Sequence, residues 1–115
     1  MYALNFYPEL YDDLLLSNRK TVTIRLGDKS DKYESGVIVW ITVGPRYGKR
    51  KKLFSAILDR VEVKRIQELS PRDIERESPE LRTHDEVIGL MSRIYGEFIT
   101  PAHLVTVIYF SRIEE

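Results

Sequence analysis

The chain has 115 residues, which suffices for one domain and is too short for two independent cores. The 18 Lys and Arg residues balance the 18 Asp and Glu residues, so the net charge is zero, which argues against a surface that binds polyanions everywhere. Cysteine is absent, which excludes a disulfide scaffold and a cysteine nucleophile and favours a reducing compartment. We therefore expect one cytoplasmic domain over 1–115, and the many charges of both signs are typical of a thermophilic source.

Five predicted strands and three predicted short helices follow one another without a regular βαβ order. The predicted helices span 8–17, 71–77 and 83–95, and the predicted strands span 2–6, 21–25, 36–43, 53–64 and 104–110. The third strand ends in the run VIVWITV, whose almost continuous apolar character predicts burial on both faces. The whole pattern favours an α+β fold, a small and mostly antiparallel β-barrel with short helices at its ends.

Polar and apolar side chains alternate along the predicted strand Thr21–Arg25. Its valine and isoleucine point to one face, and its two threonines and Arg25 point to the other, where they share a polar face if the aliphatic residues fill the barrel. Lys20 stands at the junction of helix and strand, from which its amine can reach that polar face. A hydroxyl and a lysine can act as nucleophile and base when burial or a neighbouring cation lowers the lysine pKa. The spacing alone favours an edge strand with ordinary polar exposure.

The segment 16–25, LSNRKTVTIR, resembles the signature of the ASCH domain, a branch of the PUA-like β-barrel superfamily. The loop and strand at 30–43, the helical stretch 69–95 and the last strand, of the form VTVIYF, are similar in order and spacing. The resemblance therefore covers nearly the whole chain and implies a PUA-like β-barrel. Most PUA-like domains are understood to bind RNA, so it also implies an RNA-related role.

Two positions depart from the commonest ASCH signature. Asn18 stands where Gly is usual, and both residues tolerate a left-handed turn. Thr23 stands where Glu is usual, and the form KTVTIR is similar to the ASCH subgroup that contains a small bacterial N4-acetylcytidine amidohydrolase. That resemblance implies Thr23 as nucleophile, Lys20 as base and a downstream glutamate as proton donor. Counting forward from Leu69 and Ser70 places this glutamate at Glu77, which we prefer. Counting back from Ile94 and Tyr95 places it at Glu80.

The loop 46–52, RYGKRKK, concentrates positive charge between two predicted strands. Five of its seven residues are basic, so Arg46, Lys49 and Arg50 can bind phosphates. Tyr47 is available in the same loop to stack on a base. A solvated hairpin tip explains this composition as well. Three aromatic residues elsewhere are further candidates for stacking on a pyrimidine, although a core position is the more usual one: Tyr33, Trp40 and Tyr109.

The sequence thus favours two functions. The first is an amidohydrolase that acts on N4-acetylcytidine or a related acylated nucleobase, with Arg25 or backbone amides stabilising the oxyanion. The second is a non-catalytic RNA-binding module, in which Arg25 and the loop 46–52 contact the backbone. The expected partner is a nucleoside or RNA. His84 and His103 are too isolated for a metal site, and no Gly-rich phosphate loop is present, so we expect no metal or cofactor. The apolar run 37–43 is too short to span a bilayer, so we expect no membrane segment, and we assume a monomer.

Overall fold

The computed structural model describes residues 2–7, 13–45 and 47–114. Within them, five strands form one sheet in the order β1-β3-β4-β5-β2. The strands are β1 (Ala3–Phe6), β2 (Val22–Leu26), β3 (Ile38–Val43), β4 (Lys51–Arg65) and β5 (Leu104–Arg112). Strands β1 and β3 are parallel, and the other three neighbouring pairs are antiparallel. The sheet is therefore mixed and curls into a half-barrel, with β1 and β2 at its two edges, in an α+β fold.

Short helices connect β4 to β5. A 3-10 turn over Ile66–Glu68 leads into helix α1 (Pro71–Glu77) and then helix α2 (His84–Tyr95). Residues 13–16 are also helical, and the predicted helix 8–17 lies partly outside the described residues. No helix in the described part of the chain is long and apolar enough to cross a membrane.

Both helices begin and end as their sequences predict. The Ser70 hydroxyl accepts from the Asp73 backbone N–H at 3.1 Å, and the Asp73 carboxylate accepts from the Ser70 N–H at 3.0 Å, which satisfies two amides that a helix leaves open. Thr83 and Glu86 form the same capping box at the start of α2. Gly96 ends α2 at a φ of 67°, a conformation that a residue with a Cβ adopts only at a cost. These caps fix where α1 stops, and Glu77 is its last residue.

The two faces of the sheet bury two separate hydrophobic clusters. The inner cluster fills the half-barrel and consists of Leu4, Phe6, Leu15, Tyr33, Val39, Ile41, Val43, Phe54, Ala56, Leu58, Ile108 and Phe110. The outer cluster lies between the sheet and the helices and consists of Val22, Ile24, Ile66, Leu69, Ile74, Val87, Met91, Ile99, Val105 and Val107. Strand β2 thus contributes its aliphatic residues to the outer cluster.

One sequence prediction about strand faces is wrong, and one question that the sequence left open is answered. Strand β3 is not buried on both faces, because Ile38 and Trp40 are 42% and 45% exposed while Val39 and Ile41 are fully buried. The helices cover the β2 and β5 end of the sheet and leave this part of β3 exposed. For β2 the sequence left open which face fills the barrel, and the aliphatic residues Val22 and Ile24 do not fill it. They pack under the helices, so the polar face of β2 points into the half-barrel.

Candidate functional site

A left-handed turn places Lys20 inside the fold. The helical residues 13–16 end where the backbone N–H groups of Arg19 and Lys20 both donate to the Leu14 carbonyl, at 2.9 and 3.0 Å. Asn18 adopts a φ of 61°, which Asn tolerates better than most residues. Lys20 is then buried one residue before Thr21, with its amine over the Phe6 ring at 5.4 Å from the ring centroid.

The Lys20 amine forms a buried ion pair with the last residue of α1. Its Nζ lies 2.8 Å from Glu77 Oε1, and neither side chain has more than 3% of its surface exposed. The amine also donates to the backbone carbonyls of Val22 at 2.7 Å and Glu77 at 2.8 Å. The second Glu77 oxygen, Oε2, accepts from the Ile24 backbone N–H at 2.7 Å. This network joins the start of β2 to the end of α1 at one point.

Burial lowers the pKa of Lys20 from 10.5 to about 8. The largest cause is desolvation, because water no longer stabilises the ammonium form. The Glu77 carboxylate opposes this effect by attraction and by its hydrogen bond, and the nearby Arg25 guanidinium adds to the lowering. At neutral pH a minor fraction of the molecules, on the order of a tenth, therefore carries a neutral amine that can accept a proton.

Thr23 and Arg25 lie on the inner face of β2, as the alternation predicts. Thr23 is buried, and its hydroxyl oxygen accepts from Arg25 Nε at 2.8 Å. The same guanidinium donates to the Asn5 carbonyl at 3.1 Å and lies 4.8 Å from the centroid of the Phe6 ring. Arg25 therefore links the edge strands β1 and β2 across the opening of the half-barrel, and it holds the Thr23 hydroxyl beside a positive charge.

A narrow cavity begins at Thr23 and meets a wider vestibule. The inner cavity has a volume of about 40 Å³, and its wall includes Thr23, Arg25 and Glu77. The vestibule has a volume of about 360 Å³. Both are lined by Asn5, Tyr7, Arg25, Ile94 and Tyr95. The inner volume accommodates about three water molecules or a group of similar size, and the vestibule is within the range of small-molecule sites.

The predicted catalytic residues differ in their position relative to the inner cavity. Thr23, Arg25 and Glu77 line the inner cavity, whereas Lys20 is not part of that wall and contacts it through Glu77. Glu80, the alternative to Glu77, is exposed. The sequence favoured Glu77 and left Glu80 open, and the geometry places Glu77 against the lysine.

The basic loop contributes one described side chain to the site. Arg50 lines the vestibule, where Lys32 and Tyr33 also stand. Tyr47 is 90% exposed, and neither it nor the exposed Lys49 lines the vestibule. Arg46 lies outside the described residues. The loop is therefore mostly a solvated tip, with its C-terminal end at the site.

Of the predicted stacking residues, only Tyr33 lines the vestibule. Trp40 is on the opposite face of the sheet, with Lys52 Nζ 5.4 Å from its ring centroid. Tyr109 packs against the outer cluster, and its hydroxyl donates to Asp73. These two placements follow from strand register, because residues at odd and even positions of one strand point to opposite faces.

Several residues that line the cavity were not predicted from the sequence. Asn5 and Phe6 come from β1, and Ile94 and Tyr95 come from the end of α2, far from β2 along the chain. The Tyr95 hydroxyl accepts from the Leu26 backbone N–H at 3.2 Å, which holds α2 against β2. The described residues contain no cluster of three or more His, Cys, Asp or Glu residues able to hold a metal ion.

Solved structures share this fold at low sequence identity. The hypothetical protein PH0355 matches with a TM-score of 0.69 and 19% identity, over 97% of this chain and 98% of its own. An ASCH domain from Lactobacillus crispatus matches with a TM-score of 0.64 and 15% identity, over 96% of this chain and 78% of its own. A protein of the DUF984 family from Enterococcus faecalis matches with a TM-score of 0.63 and 18% identity, over 88% of this chain and 68% of its own.

These likenesses establish the class of fold. The chain has a fold similar to that of an ASCH domain, in agreement with the resemblance of its sequence. No family model matches the sequence, and no curated protein matches it.

Proposed function

We propose that the protein is an amidohydrolase that removes the acetyl group from N4-acetylcytidine or a related acylated nucleobase. The observation that carries the proposal is the buried Lys20–Glu77 pair beside a cavity that Thr23 and Glu77 both line. Buried ionisable groups with shifted pKa values beside a cavity are typical of catalytic sites. The resemblance of the segment 16–25 to the acetylcytidine-deacetylating ASCH subgroup supplies the substrate class.

In the proposed reaction the proton moves in a chain of transfers, one of which, between Lys20 and Glu77, corresponds to a contact in the structure. Thr23 Oγ attacks the acetyl carbonyl carbon, and its proton goes to the neutral amine of Lys20. Because Lys20 Nζ is 2.8 Å from Glu77 Oε1, the proton can pass to this carboxylate and from it to the departing N4 nitrogen. The C–N bond breaks, cytidine leaves, and water then hydrolyses the acetyl ester on Thr23 to release acetate.

Arg25 has a distinct role in this scheme. Its Nε donates to Thr23 Oγ at 2.8 Å, so the positive charge stabilises the hydroxyl as it loses its proton and the oxyanion that follows. Its second contact, to the Asn5 carbonyl, fixes the guanidinium against β1. The guanidinium also lines both the cavity and the vestibule, where it can contact a bound substrate.

The test is hydrolysis of free N4-acetylcytidine, followed by chromatography of the cytidine released. Thr23→Val should reduce turnover by roughly a thousandfold or more, because it removes the nucleophile and keeps the side-chain shape. Thr23→Ser is the matched control, which keeps the hydroxyl and should keep measurable activity. Lys20→Met should abolish turnover as well. Absence of cytidine release by the wild type would refute the proposal, and equal activity of Thr23→Val and Thr23→Ser would refute the nucleophile assignment.

The second candidate is an RNA-binding module without catalysis. The observation in its favour is the vestibule wall, which combines the cations Lys32 and Arg50 with the aromatic rings of Tyr33 and Tyr95. Cations beside aromatic rings are typical of surfaces that hold single-stranded nucleic acid. Binding of an oligoribonucleotide that weakens with salt, combined with no release of cytidine from any acetylated substrate, would favour this candidate over the enzyme.

A further inference from the structure

The charged residues in the vestibule wall are all cations. Arg25, Lys32 and Arg50 line this volume of about 360 Å³, and no carboxylate lines it among the described residues. The chain as a whole has as many acidic as basic residues, so this distribution is local. A cavity whose charged groups have one sign concentrates ligands of the opposite sign. The base and ribose of N4-acetylcytidine carry no net charge and do not account for these cations.

Two tyrosine rings hold Lys32 at the vestibule. Its Nζ lies 5.3 Å from the ring centroids of both Tyr2 and Tyr33, and these two rings meet edge to face with their centroids 6.0 Å apart. Tyr33 is buried, and its hydroxyl donates to the Ala3 carbonyl at 3.2 Å, which fixes the ring against β1. Because the ammonium is attracted to the faces of the rings, its N–H groups can still donate to an anion.

The basic loop is folded so that Arg50 reaches the same vestibule. At the start of the loop, the Gly44 N–H donates to the Phe6 carbonyl at 3.0 Å, and the Gly44 carbonyl accepts from Asn5 Nδ2 at 2.9 Å. Gly44 has a φ of 155°, and a Cβ on it would lie only 2.8 Å from Arg50 Cα. Glycine permits this close approach because it has no Cβ. The loop therefore returns to β1, where it began, and places Arg50 in the vestibule wall.

A phosphate monoester suits the pair of cations that these two loops supply. Such a group carries about −1.5 to −2 charges at neutral pH, whereas each phosphodiester of a strand carries one. Guanidinium binds phosphate through paired hydrogen bonds, and ammonium binds it as a point charge. Arg25 contacts Thr23 and Asn5 instead, so Lys32 and Arg50 are the cations that remain for a phosphate.

We propose that the substrate is a nucleotide, an N4-acylated cytidine 5′-monophosphate whose phosphate binds Lys32 and Arg50. This inference rests on the proposed function, which places the acyl group in the inner cavity lined by Thr23. Water adds across the amide C–N bond, and the products are cytidine 5′-monophosphate and the carboxylate. A single nucleotide suits the site better than a strand does. Lys49 and Tyr47 line neither cavity, so the described part of the loop adds one cation to the vestibule and not a row of them.

The first experiment compares the kcat/KM for N4-acetylcytidine 5′-monophosphate with that for N4-acetylcytidine, followed by chromatography. The test variant combines Lys32→Gln with Arg50→Gln. The matched control combines Lys29→Gln with Lys51→Gln, two exposed lysines that line neither cavity and give the same change of net charge. We expect the wild type and the control to prefer the nucleotide by roughly tenfold to a hundredfold, and the test variant to lose most of that preference.

The second experiment does not depend on hydrolysis. Isothermal titration calorimetry measures the binding of cytidine 5′-monophosphate and of cytidine to the same proteins. The wild type and the control should bind the nucleotide roughly tenfold or more tightly than the nucleoside, and the test variant should bind the two about equally. This result would support the phosphate site, and if neither acetylated compound is hydrolysed, only the proposed reaction is refuted.

Three results would overturn the proposal. Equal kcat/KM values of the wild type for nucleoside and nucleotide would do so and leave the amidohydrolase intact. An equal loss of preference in the test and control variants would attribute the effect to net charge. A higher kcat/KM for an oligoribonucleotide with one internal N4-acetylcytidine would show that the vestibule accepts a strand. Thermal unfolding checks that each variant is folded.

Discussion

Two ion pairs of almost equal length occupy opposite environments in this protein. Lys20 and Glu77 approach to 2.8 Å with both side chains buried, and Arg60 and Glu62 approach to 2.6 Å with 58% and 36% of their side chains exposed. Water screens the exposed pair, so its net contribution to stability is small. The buried pair has lost its hydration, and each charge depends on its partner. The contact distance therefore does not predict how much either pair contributes to stability, and the burial of the side chains does.

The two pairs also differ in what they connect. Arg60 and Glu62 join neighbouring positions on one face of β4, with the Arg60 guanidinium 4.1 Å from the Tyr109 ring centroid. Lys20 and Glu77 are 57 residues apart in the chain and connect β2 to α1. Apolar residues of the same volume often stabilise a fold more than a buried ion pair does. Stability alone therefore does not explain this pair, and its position beside a cavity supports a role in chemistry.

The largest effect on stability should come from breaking the buried pair. Glu77→Gln leaves the Lys20 ammonium buried without its counter-charge, and we expect a loss of about 3–5 kcal/mol in the free energy of unfolding. Urea denaturation measures it. The matched control is Glu75→Gln, an exposed glutamate on the same helix, which should change stability by less than about 0.5 kcal/mol. Similar losses in the two variants would show that the pair contributes no more than a surface charge.

Alkaline pH should stabilise the fold through Lys20. Its pKa is about 8 in the folded protein and 10.5 as the ordinary value, so between these values the unfolded chain binds a proton that the folded chain does not. Stability therefore rises as pH increases through this window, by roughly 3 kcal/mol in total.

The measurement of this pH effect is the difference in unfolding free energy between the wild type and Lys20→Met across the window, which cancels the titration of other groups. In the proposed enzyme, turnover should increase as pH rises towards the Lys20 pKa of about 8 and level off at higher pH, as the neutral amine becomes the major form. A difference that is flat, or that falls with rising pH, would contradict a lowered lysine pKa.

Removing both charges should cost less than removing one. Lys20→Met combined with Glu77→Gln eliminates the ammonium and the carboxylate, while the Gln side-chain oxygen still accepts from the Ile24 N–H. We expect the double variant to lose only about 1–2 kcal/mol relative to the wild type, and to be inactive. A double-mutant cycle of urea denaturation gives the coupling energy. Strict additivity of the two single changes would mean that the residues do not interact.

The smallest effect should come from the exposed pair. Glu62→Gln removes the contact with Arg60 and a longer one with Lys64, at 3.6 Å. We expect a change below about 1 kcal/mol at low salt, and less at high salt because ions screen exposed charges. Thermal unfolding at two ionic strengths checks this. A loss of stability as large as that of Glu77→Gln would contradict the inference that burial makes the Lys20–Glu77 pair the more important of the two.

Local signals in the sequence predicted the parts of the fold that depend on neighbouring residues. The helices predicted over 71–77 and 83–95 match α1 and α2, because the capping bonds and left-handed turns that bound a helix involve residues close in the chain. The alternation along 21–25 correctly placed Thr23 and Arg25 on one face of β2. Composition failed for β3, because an apolar run does not show which face of a sheet the helices cover.

The sequence by itself determined the α+β class, the positions of both helices and, through the segment 16–25, the resemblance to ASCH domains. It also supplied Lys20 and Thr23 as candidates. Only the tertiary structure decided that the polar face of β2 points into the half-barrel and that Glu77 rather than Glu80 meets the lysine. The physical reason is that these contacts join β2 to residues more than 50 positions away, and burial creates the shifted lysine pKa only after they form.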